Sequence, residues 1–267
     1  MTAHRLNTLK QLGPIGLGVI APLVIGCALA LWLIPTPVIG VIYFRAEVTA
    51  TSADGFAAQM AYARSHPEVR GVVIVLDSPG GAVSASDAIY AEALSLRQIK
   101  PVVTVVESLA ASAAYHLAAA TDYIYARPSS EIGSIGVIGS LPSDRPSANE
   151  EDYATTGPYK GIGDSRDSAL RKIDLIKQLF VQEVLAGRGA RLRLDVPTLL
   201  SGRTWLGTDA LRLGLIDALG TQNQAINHAA QLAYTLNYGT LDLSVATGES
   251  IWAGYFWFSQ PAPIPAP

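Results

Sequence analysis

The sequence predicts an α/β domain of repeated strand–helix units around a mainly parallel sheet, preceded by one N-terminal transmembrane helix. Three observations predict it. No charged residue interrupts Leu12–Gly40, a length that spans a bilayer core as a helix. Val72–Leu76 and Val102–Val106 are apolar throughout rather than alternating, as expected for parallel strands covered on both faces. Segments of helical period alternate with these strands, which points to βαβ connections.

His4, Arg5 and Lys10 precede the apolar run, so the positive-inside rule leaves the N-terminus in the cytoplasm and the rest of the chain outside it. Two other readings compete for this run. Ala28-Leu-Ala30 fits a secretory cleavage site, and Val24-Ile-Gly-Cys27 fits a lipidation site at Cys27. Against both, the apolar run continues through Leu31–Ile34. All three put the domain on the same side of the membrane. The organisation read here is a cytoplasmic N-terminus (1–11), an anchor (12–37), a domain (38–239) and an aromatic, Pro-rich tail (240–267).

Within the domain, Val38–Phe44 reads as the first strand. Ser52 or Asp54 caps a helix running to about Ser65, which His66-Pro67 ends. The strand Val72–Leu76 runs into Ser78-Pro-Gly-Gly81. A helix beginning at Ser84, Ser86 or Asp87 continues to about Arg97. Lys100-Pro101 opens the next strand, followed by a small-residue helix over Ala110–Ala120 and short strands at Tyr123–Ala126 and Ile135–Ile138. Ser140–Gly163, rich in Pro, Ser, Gly and acidic residues, is a long surface loop of the kind that is usually functional. Asp167 or Ser168 caps an amphipathic helix to about Ala186, with Leu170, Ile173, Ile176, Leu179, Phe180 and Val184 on its apolar face. Thr208 starts a short helix that Gly214 ends, and Gln222–Leu236 is the last helix. The tail carries the aromatic run Ile251–Phe258, suited to packing on the domain, touching a membrane surface or joining an oligomer.

Composition excludes several classes. The net charge is −3 without a basic run, which argues against nucleic acid as a partner. A single cysteine, Cys27, allows neither a disulfide framework nor a Cys-rich zinc site. No metal or cofactor is expected.

The chemistry concentrates between Gly71 and Gly139. Gly80-Gly81, after a strand and a proline, can present backbone N–H groups where side chains would block them, and paired N–H donors are what an oxyanion hole needs. At the next strand–helix junction stands Ser112, among Ala110, Ala111, Ala113 and Ala114. A serine hydroxyl needs a base to become a nucleophile. Read alone, Ser112 also fits a buried serine chosen for size, and Gly80-Gly81 also fits a plain turn. His116, four residues on, is one available base.

Asp77-Ser-Pro-Gly-Gly81, Lys100-Pro-Val-Val103, Ala110-Ala-Ser112, Ala120-Thr-Asp-Tyr-Ile-Tyr-Ala126, Gly133-Ser-Ile-Gly-Val137 and Ser201–Asp217 follow one another as in the signal peptide peptidase A family (peptidase family S49), which the chain resembles over about Val38–Gln231. The resemblance implies a ClpP/crotonase-like fold of repeated ββα units and a membrane-bound serine peptidase using a Ser/Lys dyad. It maps the serine to Ser112 and, through Thr156-Gly-Pro-Tyr-Lys160-Gly, the lysine to Lys160, with Lys172 second. It implies an oxyanion hole from Gly80, Gly81 and Ala113, and orienting roles for Ser129 and Ser134. An aromatic residue is common in relatives where His116 stands, so packing is the reading there. Two departures stand out: Ala113-Ala114 replace a Gly-Gly pair, and the 140–159 loop is divergent. The implied substrates are cleaved signal peptides or other hydrophobic membrane-derived peptides. The implied assembly is a homo-oligomeric ring in which neighbouring subunits can complete the dyad, on the extracytoplasmic side of a cell membrane. A crotonase-type acyl-CoA enzyme and an inactive membrane scaffold of the same fold are the alternatives.

Overall fold

A computed structural model describes residues 36–142, 156–157, 159–160 and 163–252, together with residues 18, 20, 22–26 and 29. The chain divides into two units, 1–37 and 38–267. In the first, residues 18, 20, 22–26 and 29 are helical, and Ile20, Leu23, Val24 and Ile25 among them have exposed apolar side chains. Most of the expected anchor lies outside the described residues. Among those described, no helix is long and apolar enough to cross a membrane.

The second unit runs β1 (Val38–Phe44), α1 (Ala50–Ser65), β2 (Val69–Ser78), α2 (Val83–Arg97), β3 (Val102–Ala111), α3 (Ala113–Ala119), β4 (Tyr123–Ala126), β5 (Glu131–Gly133), α4 (Arg166–Arg188), α5 (Val196–Leu199), β6 (Thr204–Leu206), α6 (Gly207–Leu213), β7 (Ala218–Leu219), α7 (Gln222–Leu232), β8 (Gly239–Asp242) and α8 (Leu243–Thr247). One sheet takes the order β6-β5-β3-β2-β1-β8, with β4 on β3 and β7 on β4. Every pairing is parallel except β5 with β6.

The apolar strands are buried on both faces, as their composition requires. Val72, Ile74 and Leu76 join one core with Phe56, Met60, Ile89 and Leu96 of α1 and α2. Val73, Val75, Val103 and Val105 join the other with Ala225, Ile226 and Ala229 of α7. Each such side chain, fully buried, contributes about 1.5–3 kcal/mol.

The strand β3 is long enough to serve two partners. Its first half, Val103–Val106, pairs with β4, and its end, Leu109–Ala111, pairs with β5. Between them the β2–β3 register slips, so that Leu76 faces Val106 but Ser78 faces Ala110. Ser130 Oγ donates to the carbonyls of Val106 and Glu107 here, at 3.1 and 2.7 Å, and the Leu109 N–H donates to Asp77 Oδ1 at 3.1 Å. The slip bends both strand ends together, toward the start of α3.

The sequence reading needs correction at several points. Ser165, not Asp167 or Ser168, caps α4, and α7 ends at Leu232 rather than Leu236. Ala110 and Ala111 are strand, not helix, because pairing with Ser78 and Gly133 outweighs alanine's helix preference. The short strand is Glu131–Gly133 rather than Ile135–Ile138, because positive φ at Gly133 (127°) and Ser134 (52°) ends it early. Thr49 caps α1, and Ser52 closes the reciprocal capping box from inside the helix. The domain continues past residue 239: β8 pairs with β1, and Ile251 is buried in the core. Phe258 and the rest of the aromatic run after Trp252 lie outside the described residues.

Candidate active site

Ser112 occupies the turn between β3 and α3 as the N-cap of α3, with φ 54° and ψ −122°. Such a conformation costs a non-glycine residue about 1–3 kcal/mol and persists only where surroundings impose it. Two hydrogen bonds impose it: the Ser112 N–H donates to Gly133 O at 2.9 Å, and the His116 N–H to Ser112 O at 3.0 Å. A serine on a strained strand-to-helix turn is the geometry by which nucleophilic hydroxyls are held out into a cleft. Here the cleft exists. Ser112 lines an apolar pocket of about 70 Å³ and a broader cleft of about 550 Å³.

Gly80 and Gly81 have separate tasks. A Cβ on Gly80, at φ 94°, would stand 2.8 Å from Ser112 Cβ and 2.9 Å from Ala113 N, so glycine is what lets this loop close on the serine. The Gly80 N–H is engaged with Ser78 Oγ at 3.2 Å. In this arrangement Gly80 acts as a spacer, with its N–H turned to Ser78. Gly81 forms a bridge with Val48, whose carbonyl a Cβ would meet at 2.1 Å. The flanking groups take the bridge's hydrogen bonds, Val48 N–H to Gly80 O and Ala82 N–H to Val48 O, each at 2.8 Å. Among the described residues, no hydrogen bond engages the N–H of Gly81 or Ala113, and Ala113 is the first residue of its helix, where N–H groups have no internal acceptor. These two donors and Ser112 line the same pocket.

The rival base, His116, is occupied at both nitrogens. Its Nδ1 lies 2.8 Å from Ser86 Oγ and its Nε2 2.6 Å from Glu183 Oε2. The ring stacks on Tyr90 at 4.2 Å and is 3% exposed. Burial lowers its pKa to about 4, with Asp87 acting weakly the other way. Glu183 also favours the charged ring, but its side chain is 37% exposed and screened by solvent, so burial decides. A neutral imidazole accepting from Ser86 and donating to Glu183 satisfies every group. His116 is packed and satisfied at both ring nitrogens.

The lysines divide clearly. Lys160 sits exposed on a surface turn, its N–H donating to Gly157 O at 3.1 Å, and is not among the described residues lining either cleft. Lys172 is held by Asp164, which also accepts from Ser168 Oγ at 2.8 Å. Those bonds hold the Asp164 carboxyl down at about 2. Lys177 lines the broader cleft with Ser112 and Ser134, and pairs with Asp174. Ser129 is exposed on a turn away from both clefts, while its neighbour Ser130 is buried.

A sequence model of peptidase family S49 matches residues 95–235, more than half of the chain, and one of the Clp proteases matches residues 39–133. The chain belongs to peptidase family S49. It is 33% identical over 193 residues to Protease 4 of Salmonella typhi and 30% identical over 191 residues to Protease 4 of Haemophilus influenzae, in each case over 67% of this chain and 31% of the relative. A serine protease of Arabidopsis chloroplasts, SPPA, is 30% identical over 64% of this chain and 27% of its own length. The chain thus matches a third or less of each of these three relatives. The Clp match ends at Gly133, the last residue of β5, and so includes the turn that carries Ser112. The S49 match runs on through α4 and the Ser201–Asp217 segment.

That last segment is structural. Arg188, 1% exposed, makes two hydrogen bonds to the carboxylate of Asp217 at 2.9 and 2.8 Å and a third to Gly214 O at 2.9 Å. Gly187 lets α4 lie against α3, since a Cβ there would meet Ala119 O at 2.1 Å. Tyr115 Oη donates to Leu215 O at 2.8 Å, tying the serine-bearing helix to the same segment. The sequence reading missed Ser86, Asp87 and Glu183 as cleft residues. One signal was present: Glu183 continues the Ile176, Leu179, Phe180 stripe at helical spacing, a carboxylate on an apolar face.

Proposed function

We propose that this S49 family chain is a serine endopeptidase in which Ser112 attacks the peptide carbonyl and the N–H groups of Gly81 and Ala113 hold the resulting oxyanion. The observation that carries this is the strained Ser112 turn, with two unengaged N–H donors lining the same pocket. Lys160 is the proposed base, on the strength of its Gly-Pro-Tyr-Lys setting. It must reach Ser112 by movement of its loop or from a neighbouring subunit. A second copy is favoured by α4, which exposes Leu170 and, one turn apart on one face, Leu175 and Leu179, apolar side chains that the domain's own core leaves uncovered. The proposed assembly is accordingly a homo-oligomeric ring. Ser134, which shares the broader cleft with Ser112, is the better of the two candidates for orienting the base. The exposed apolar residues between Ile20 and Leu29 support anchoring in a cell membrane with the catalytic domain outside the cytoplasm. The substrates proposed are cleaved signal peptides and other hydrophobic membrane-derived peptides.

The test uses the full chain in detergent with casein and fluorogenic peptides. Ser112→Ala and Lys160→Ala should each lower kcat/KM by roughly 1,000-fold or more, the scale on which dyad and triad members act. Co-assembly of the two variants should restore part of the activity if the dyad forms between subunits, and none if it forms within one. Full activity in Lys160→Ala, with loss in Lys177→Ala, would move the base to α4. Full activity in Ser112→Ala would overturn the reading.

A further inference from the structure

The pocket beside Ser112 is apolar in its walls and acidic in its polar groups. Val83, Val137, Ile176, Leu179 and Phe180 line its sides, and Ser112 and Ala113 line its mouth. Ser86, His116, Glu183 and Asp87 supply the polar lining. Among the described residues, neither carboxylate meets a Lys or Arg side chain: Glu183 contacts only the neutral His116, and Asp87 has no hydrogen-bond or ion-pair partner. His116 donates to one Glu183 oxygen, which leaves the other oxygen and both of Asp87 to accept. Burial raises the pKa of each carboxyl; at Asp87 the nearby His116 acts against this and Glu183 adds to it. Asp87 is exposed and Glu183 partly buried, so the pair is solvated when the cleft is empty, and with no described Lys or Arg beside it, it offers complementary charge to a cation that arrives with a substrate.

A pocket adjoining the nucleophile seats the side chain on the acyl side of the scissile bond and so sets cleavage preference. We propose that this pocket selects a residue with an apolar stem and a cationic head, lysine or arginine, immediately before the cleaved bond. The stem lies along Val83, Val137, Ile176 and Leu179, and the head meets Glu183 and Asp87. His116, pinned by Ser86 and stacked on Tyr90, is a positioning residue that fixes the Glu183 carboxylate. This rests on the serine peptidase reading above and narrows its substrates: secretory signal peptides pair an apolar core with a basic N-terminal region, and cleavage would fall on the basic residues rather than within the core.

The experiment is a matched peptide panel varying only the residue before the scissile bond: lysine, arginine, norleucine, methionine, glutamine and glutamate. Norleucine keeps the lysine stem without the charge. The full-length protein should cleave the lysine and arginine peptides with kcat/KM about tenfold or more above norleucine, and the glutamate peptide least. In Asp87→Asn/Glu183→Gln, which keeps shape and hydrogen bonding, the lysine-to-norleucine ratio should fall by about tenfold or more. An intact melting transition in that variant shows that the ratio reports recognition. Equal or better cleavage of norleucine, with a ratio unmoved in the variant, overturns the inference and leaves the peptidase reading standing. No cleavage of any peptide, or cleavage that survives Ser112→Ala, overturns the peptidase reading and this inference with it.

Discussion

Helix α4 carries two acid–base partnerships five residues apart, and they are built in opposite ways. At its C-terminal end Arg188 is buried, and each of its three guanidinium nitrogens donates to Asp217 or Gly214. One turn earlier, Glu183 faces a cleft with a neutral histidine for company. A buried charge with all partners supplied serves the fold. A half-buried charge with no opposite charge supplied leaves work for a ligand. The sequence pattern Gly-Leu-Ile-Asp217 belongs to the first kind, and the cleft beside Ser112 to the second.

The strongest way to sharpen this contrast is to break the satisfied pair. Arg188→Met leaves the buried Asp217 with the half-exposed Arg191 as its remaining charged partner, at 3.1 Å, and should lower stability by up to about 3–5 kcal/mol in urea denaturation. The double variant Arg188→Met/Asp217→Leu should recover most of that loss, because it leaves no buried charge behind.

Acid gives the next largest effect, and it reads the cleft side. The folded-state pKa of His116 is depressed to about 4 from an ordinary 6.5. Between these values the unfolded chain binds more protons, so stability is present at neutral pH and lost as pH falls through this window. The loss is at most about 3 kcal/mol. Asp87 and Glu183, whose values burial raises, act in the opposite sense, as does Tyr90 far above this range only. They are the more exposed groups, so histidine should dominate. Thermal melting across this range should show the acid loss in the wild type and a shallower one in His116→Phe.

The smallest effect separates the two partnerships most cleanly. Glu183→Leu leaves the buried His116 Nε2–H without its acceptor and should lower stability by about 1–3 kcal/mol, less than is lost at Arg188, while shifting peptide preference toward apolar residues. A loss at Glu183 as large as that at Arg188 would mean that both are structural.

The fold was legible where composition leaves one choice. Strands apolar on both faces, such as Val72–Leu76, belong to a buried parallel sheet. It was illegible where tertiary pairing overrode local preference, as at Ala110-Ala111, and where short-range strain decided, as at Ser134. At the site, Ser112 and Gly81 could be read because a strand–turn–helix order constrains them. Gly80's task could not, since the Ser78 hydroxyl that engages its N–H is visible only in space. Ser86, His116 and Glu183 come from three helices, and no spacing within one segment announces their meeting. Lys160 follows a divergent loop, and it stands exposed on a surface turn outside the described lining of both clefts.

The central claim is that Ser112 becomes acylated. Full-length protein treated with an activated peptide ester ending in lysine, quenched in acid and mapped by mass spectrometry, measures this directly. The account predicts one acyl adduct, on Ser112, absent in Ser112→Ala. An adduct on Ser86, or rapid hydrolysis with no dependence on Ser112, would contradict it.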